Sequence, residues 1–155
     1  MSAAETFEIG ETIELGSHTF EAEDIKDFAR RFDPQPFHLS EEGAANSVFG
    51  RLCASGWHTA AMWMHHNVPS FEAQRKRAEG AGRELEFGPA AGLTDLKWSK
   101  PVYVGDTITY FRRPESMRTL ASRPGWHMVT ARNWGVNQKG ETVIEFLANV
   151  LMRAG

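Results

Sequence analysis

The spacing of apolar residues divides this chain into a helical first half and a strand-rich second half. Phe7 to Leu15 alternates loosely between apolar and polar residues and carries β-branched side chains, which predicts a short first strand. Ile25, Phe28, Ala29 and Phe32 then fall at i, i+3, i+4 and i+7, the spacing of one apolar helix face. Acids at its start (Glu21, Glu23, Asp24) and Arg30 and Arg31 at its end complement the helix dipole. Asp33-Pro34 stops it. Glu41 to Ser47 reads as a short helix. From Trp57 to Met64 apolar side chains point in nearly every direction, which predicts a buried helix, with Ser55 as its N-cap and Asn67-Val68-Pro69 as its end. His65 and His66 then fall at its carbonyl end.

Ser70 to Gly82 is charged and glycine-tipped, and reads as a surface loop or short helix. Strand patterns dominate from there. Asp95 to Ser99 alternates at period two, and Val102 to Arg112 and Trp126 to Asn137 are rich in β-branched and aromatic residues. Arg113 to Gly125 reads as a loop, Asn137-Gln138-Lys139-Gly140 as a turn, and Glu141 to Arg153 as the last strand. The expected class is α+β, a mainly antiparallel sheet packed on one buried helix, in a single domain over 1–155.

Composition narrows the functional classes. A chain of 155 residues with 41% hydrophobic and 24% charged residues has the make-up of an ordinary globular domain. A net charge of −3 gives no reason to expect nucleic acid. One cysteine excludes an internal disulfide and suits a reducing compartment. With neither a signal-peptide pattern nor an apolar run of about 20 residues, the expectation is a cytoplasmic protein without membrane association. Five tryptophans and ten phenylalanines could serve a subunit interface as well as a core.

Candidate chemistry concentrates in Asp33-Pro34-Gln35-Pro36-Phe37-His38. Each proline biases the residue before it toward extended backbone. Fully extended, five residues would span roughly 17 Å. A shared role for Asp33 and His38 therefore requires a turn between them, and the prolines could make it rigid. The competing reading is a helix stop followed by an ordinary loop histidine. Six histidines without a metal-binding spacing give no metal site, and Cys53 reads as a small buried residue.

Asp33-x-Gln35-Pro36-Phe37-His38, Ser55-Gly56 beyond it, and Lys97-Trp98-Ser99-Lys100-Pro101-Val102-x-x-Gly105-Asp106-Thr107 together closely resemble the MaoC-like dehydratases, which include the (R)-specific enoyl-CoA hydratases. The resemblance runs from about residue 8 to residue 152 and implies a hot-dog fold, a sheet wrapped around a central helix from Gly56 to His66. It implies a homodimer, or a larger assembly of such dimers, with an acyl thioester of the coenzyme A type as substrate and no cofactor. The family's catalytic pair falls on Asp33 and His38. The glycine whose N–H binds the thioester carbonyl falls on Gly56. Gln35, Ser55, Trp57 and His58 are further candidates to line the substrate pocket, with packing as their competing role. The chain departs from the family pattern at Phe32, where glycine is usual, at Gln35, where asparagine is usual, and at Ser55, where histidine commonly precedes the glycine.

The resulting expectation is a hydratase or dehydratase of enoyl and 3-hydroxyacyl thioesters. The alternatives are a thioesterase on the same fold and a thioester-binding subunit without activity. Two basic runs, Arg75-Lys76-Arg77 and Arg112, Arg113, Arg118 and Arg123, could meet coenzyme A phosphates or an acidic carrier, or be solvated surface.

Overall fold

A computed structural model describes residues 1–155. Five antiparallel strands form one sheet: β1 (Ile13–Thr19), β2 (Leu85–Lys97), β3 (Thr107–Thr119), β4 (Trp126–Val136) and β5 (Thr142–Ala154). Their order across the sheet is β1-β3-β4-β5-β2. Five helices accompany them: α1 (Ala3–Thr6), α2 (Ala22–Phe32), α3 (Pro36–Leu39), α4 (Glu41–Ala45) and α5 (Gly56–Gly80). The sheet wraps around α5, which is the hot-dog architecture. Strict burial alternation along β4, with Val129, Ala131, Asn133 and Gly135 inward, lays one face of the sheet against the helix.

The main core joins Trp63 of α5 to Ile108, Tyr110, Val143, Ile144 and Phe146 of the sheet, and to Phe20 and Ile25 at the start of α2. Tyr110 donates its hydroxyl proton to the Thr59 carbonyl at 2.8 Å, which ties the sheet centre to the first turns of α5. A smaller cluster of Phe7, Ala78, Leu85, Val129 and Met152 closes the far end.

Several elements differ from the sequence expectation, among them β2, which begins at Leu85 and not at Asp95, and β3, which begins at Thr107 and not at Val102. Of Phe7 to Leu15, only Ile13 to Leu15 is strand. Phe7 packs under the C-terminal end of α5, Glu8 sits at φ 58°, and β1 begins only at Ile13. The apolar alternation there belongs to a plug in the second core. The central helix does not stop at Pro69 but runs 25 residues to Gly80, placing His65 and His66 in mid-helix. Buried Trp63, Asn67, Gln74 and Ala78 continue at helical spacing, and packing along that face outweighs one proline on the exposed side. Finally, β3 extends to Thr119 through part of the expected loop, pairing with β4 as far as Thr119 and His127.

The helix carries Pro69 at the cost of one intrahelical N–H and a ring clash, so replacing it should strengthen the fold. Pro69→Ala is expected to raise stability by about 1–2 kcal/mol, less than the full helix-interior penalty because the unfolded chain gains freedom. A thermal melt would register this as a few degrees upward, and a lower Tm would contradict the account of α5.

Candidate active site

The segment from Asp33 to His38 is folded back on itself. Asp33 closes α2 by donating its N–H to the Ala29 carbonyl, then turns to φ −155°, ψ 71°. Pro36 opens α3, where its missing N–H costs nothing. His38 therefore stands on a one-turn helix and not on irregular backbone. Gln35 locks the turn twice: its N–H reaches the Asp33 carbonyl at 2.8 Å and its carbonyl accepts from the His38 N–H at 3.0 Å. Ser40 ends α3 and caps α4, accepting from the Gly43 N–H at 2.9 Å. Gly43 lies so close that a Cβ there would meet the Pro36 carbonyl oxygen at 2.5 Å. The two prolines, the cap and the close contact make a rigid platform.

On that platform the two side chains meet. His38 Nε2 lies 3.4 Å from Asp33 Oδ2. His38 is buried, and its Nδ1 lies 2.6 Å from the Cys53 carbonyl oxygen. A carbonyl can only accept, so Nδ1 carries the proton. In the neutral ring, Nε2 then presents a lone pair toward Asp33. The other carboxylate oxygen, Oδ1, accepts from Gln35 Nε2 at 2.7 Å, leaving Oδ2 to face the imidazole.

Cys53 holds its carbonyl in place through the backbone. Its N–H bonds to the Phe37 carbonyl at 3.2 Å, and the residue bridges to Tyr103, while its neighbours pair with Val102 and Val104. Burial, reinforced by the Asp33 charge, pushes the Cys53 thiol up to about 11. It stays protonated near neutrality and is no nucleophile.

Asp33, Gln35, His38, Gly56, Trp57 and Trp98 line one cavity of about 380 Å³, floored by Phe37, Thr59, Val102 and Val143. Gly56 is the first residue of α5, so its N–H has no acceptor within the helix. The Trp98 indole lies across it: Nε1 donates to the Gly56 carbonyl at 3.0 Å, and a Cβ at position 56 would meet the ring at 2.5 Å. A side chain at position 56 would displace the Trp98 ring, a contact that no local spacing reveals. Trp57 packs edge-on against Trp98 at the cavity rim and is 56% exposed.

Two sequence candidates lie outside this cavity. Ser55 is fully buried and caps α5, accepting from the Trp57 N–H at 3.2 Å. His58 points the other way, stacked on Phe28 at 4.6 Å and beside Asp24 and His18. Burial, the largest influence, holds its imidazole below the usual range, against the pull of Asp24. Arg112 is no surface cation either: it is buried and donates to Asn67, Ser70 and Gln74. Sequence reasoning missed Trp98 as a cavity wall, although its alternating strand marked it as a side chain facing one way.

The family model described as the FAS1-like dehydratase domain region matches residues 8–146. The solved structure of a MaoC-like dehydratase from Rhodospirillum rubrum is 36% identical, superposes with a TM-score of 0.79, and is matched over 94% of this chain and 92% of that one. The uncharacterized protein YdeM of Bacillus subtilis is 38% identical over 151 residues, spanning 95% of this chain and 96% of its own. The (R)-hydratase of A. caviae involved in PHA biosynthesis shares the fold at 23% identity and a TM-score of 0.65, over 94% of this chain and 96% of that one. The chain belongs to the MaoC-like dehydratase family.

The buried thiol gives a direct check on this environment. Alkylation of Cys53 by iodoacetamide in the folded protein should stay negligible at pH 8 and rise only toward pH 11. Asp33→Asn should move that rise to lower pH, because removing the neighbouring negative charge eases thiolate formation. An unshifted profile in the variant would separate Asp33 from Cys53.

Proposed function

We propose that this protein adds water across the Cα=Cβ bond of a 2-enoyl thioester, and removes it from the corresponding 3-hydroxyacyl thioester, without a cofactor. The observation that carries the reading is the facing of two acceptors, Asp33 Oδ2 and His38 Nε2, across 3.4 Å. That separation exceeds a direct N–H···O bond of about 2.7–3.2 Å. One water can donate a proton to each, sitting off the line between them, and its lone pairs then face the cavity.

In hydration the water oxygen bonds to Cβ, the π pair shifts toward Cα and the thioester oxygen, and Asp33 takes the water proton. That proton passes from Asp33 to His38 Nε2 and from there to Cα, and the enolate collapses to the hydroxyacyl product. Dehydration retraces the path. Gly56 offers its N–H at the positive end of α5, where the thioester oxygen gains negative charge. Gln35 holds Asp33 Oδ1 so that Oδ2 remains the base. General acid–base help of this kind is worth about 10²–10⁴-fold in rate.

The assembly we propose is a homodimer, or an oligomer of such dimers, joined through β2. That strand is one of the two sheet edges, and its residues from Pro89 to Asp95 are all exposed. An edge of this length left bare invites pairing with another strand. Leu93 on it is exposed, as are Trp57, Met64 and Val68 on one stripe of α5. No helix is long and apolar enough to cross a membrane. With one buried, unpaired cysteine, we assign the protein to the cytoplasm.

Loss of the conjugated enoyl absorbance on mixing with crotonyl-CoA, or with longer and branched enoyl thioesters, tests the reaction. Asp33→Asn and His38→Gln should each lower kcat by about 10²–10⁴-fold, with unchanged circular dichroism. Release of free thiol from saturated acyl-CoA, without enoyl hydration, would replace this reading with a thioesterase. Light scattering should give twice the mass of one chain or an even multiple of it, and Leu93→Lys should shift the population toward monomer. A monomeric wild type would contradict the β2 interface.

A further inference from the structure

A second group of titratable side chains lies outside the reaction scheme. His18 at the end of β1, Asp24 in the first turn of α2 and His58 in the first turn of α5 each turn one ligand atom toward a common point, all within 4.8 Å of one another. One carboxylate oxygen serves both rings. Asp24 Oδ2 lies 2.7 Å from His18 Nε2 and 3.5 Å from His58 Nε2. Aromatic walls fix the imidazoles: Phe20 meets both edge-on at 4.6 and 4.9 Å, and Phe28 lies flat on His58, 3° from parallel. His58 is buried, and its Nδ1 has no hydrogen-bond partner. The dehydration chemistry uses none of these groups.

We propose that His18, Asp24 and His58 form a binding site for one divalent transition-metal ion of the zinc or cobalt type. Two imidazole nitrogens and one carboxylate are a ligand set that such ions favour, and three protein ligands leave a fourth position for water. Ligands on a tetrahedral ion at about 2.0–2.1 Å stand roughly 3.3–3.4 Å apart. The Asp24–His58 separation of 3.5 Å already fits that spacing. The His18–Asp24 contact of 2.7 Å is a hydrogen bond, and the pair must part by about 0.6 Å to admit the ion. Both side chains have room to do so and give a path for entry, His18 being 24% and Asp24 40% exposed. Ring orientation, which hydrogen bonds to the second nitrogen usually provide, comes here from Phe20 and Phe28.

Such an ion would join β1, α2 and α5 at one point. Asp24 and Asp33 lie on one helix about 13 Å apart along its axis, so the ion would steady the helix that carries the acid without touching the cavity. The site joins elements distant in sequence, which is why no ligand spacing appears along the chain.

The test uses tag-free, full-length protein stripped by chelator and dialysed. Titration with Co²⁺ should saturate at one ion per chain with the visible bands of a four- or five-coordinate site, and Zn²⁺ should displace it. Zn²⁺ should also raise Tm. Asp24→Asn and His18→Gln, both partly exposed positions, should each weaken Co²⁺ binding at least tenfold and abolish the Tm rise, whereas Asp33→Asn should leave both unchanged. Absence of cobalt bands in the wild type would overturn the site and leave Asp24 as a hydrogen-bond acceptor for two imidazoles. Undiminished binding in Asp24→Asn would overturn it equally, because the ion would then sit elsewhere.

Discussion

The hydrogen bond from His38 Nδ1 to the Cys53 carbonyl governs the candidate active site. It places the proton of a neutral imidazole on Nδ1, so that in this tautomer Nε2 meets Asp33 as a lone pair and not as a donor. Reverse that tautomer and the pair becomes a direct N–H···O contact with no place for a shared water. The bond depends on the segment from Leu52 to Ala54, which is held on one side by Phe37 and on the other by Val102 and Val104. Thus the stretch before α5, the turn after α2 and the approach to β3 are coupled through one carbonyl. Burial of Cys53 serves this arrangement, since a small apolar side chain lets its backbone press against the imidazole.

Much of the fold was legible because its signals were periodic. The i, i+3, i+4, i+7 spacing from Ile25 to Phe32 gave α2 and its end at the observed residue. The Asn137 to Gly140 turn gave the β4–β5 hairpin, in which the Asn137 side chain accepts from the Lys139 and Glu141 N–H groups. Misreadings arose where long-range packing outweighed local preference. Pro69 looked like a helix end, yet the inward face beyond it remained worth burying. Phe7 looked like strand, yet it fills a gap beneath the last turns of α5. Phe32 continues the apolar stripe of α2 but is 68% exposed, because the sheet and α5 cover only part of that face.

The candidate site was legible in its chemistry and opaque in its geometry. Asp33 and His38 stood out by type and by the prolines around them, and the structure brings them together through the turn that a shared role demanded. Gln35 was a candidate for substrate contact. It also anchors the carboxylate, a function its two-residue spacing from Asp33 permits but does not announce. His58 could not be placed by sequence, since a helix position within the first turn after Gly56 can face the cavity or turn away. Its stacking on Phe28 settles that it turns away. The partners that decide such matters, Trp98 over Gly56 and Phe28 over His58, come from other elements of the chain.

The protonated nitrogen of His38 is the most direct test of this account. Two-bond ¹H–¹⁵N correlations from ring-labelled histidine, recorded on the wild type and on a His38 variant for assignment, distinguish the two neutral tautomers. The account predicts a neutral His38 ring protonated at Nδ1, with an acceptor-type shift at Nε2. A neutral ring protonated at Nε2 would contradict it, because Asp33 and His38 would then bond to each other and leave the water without its second acceptor.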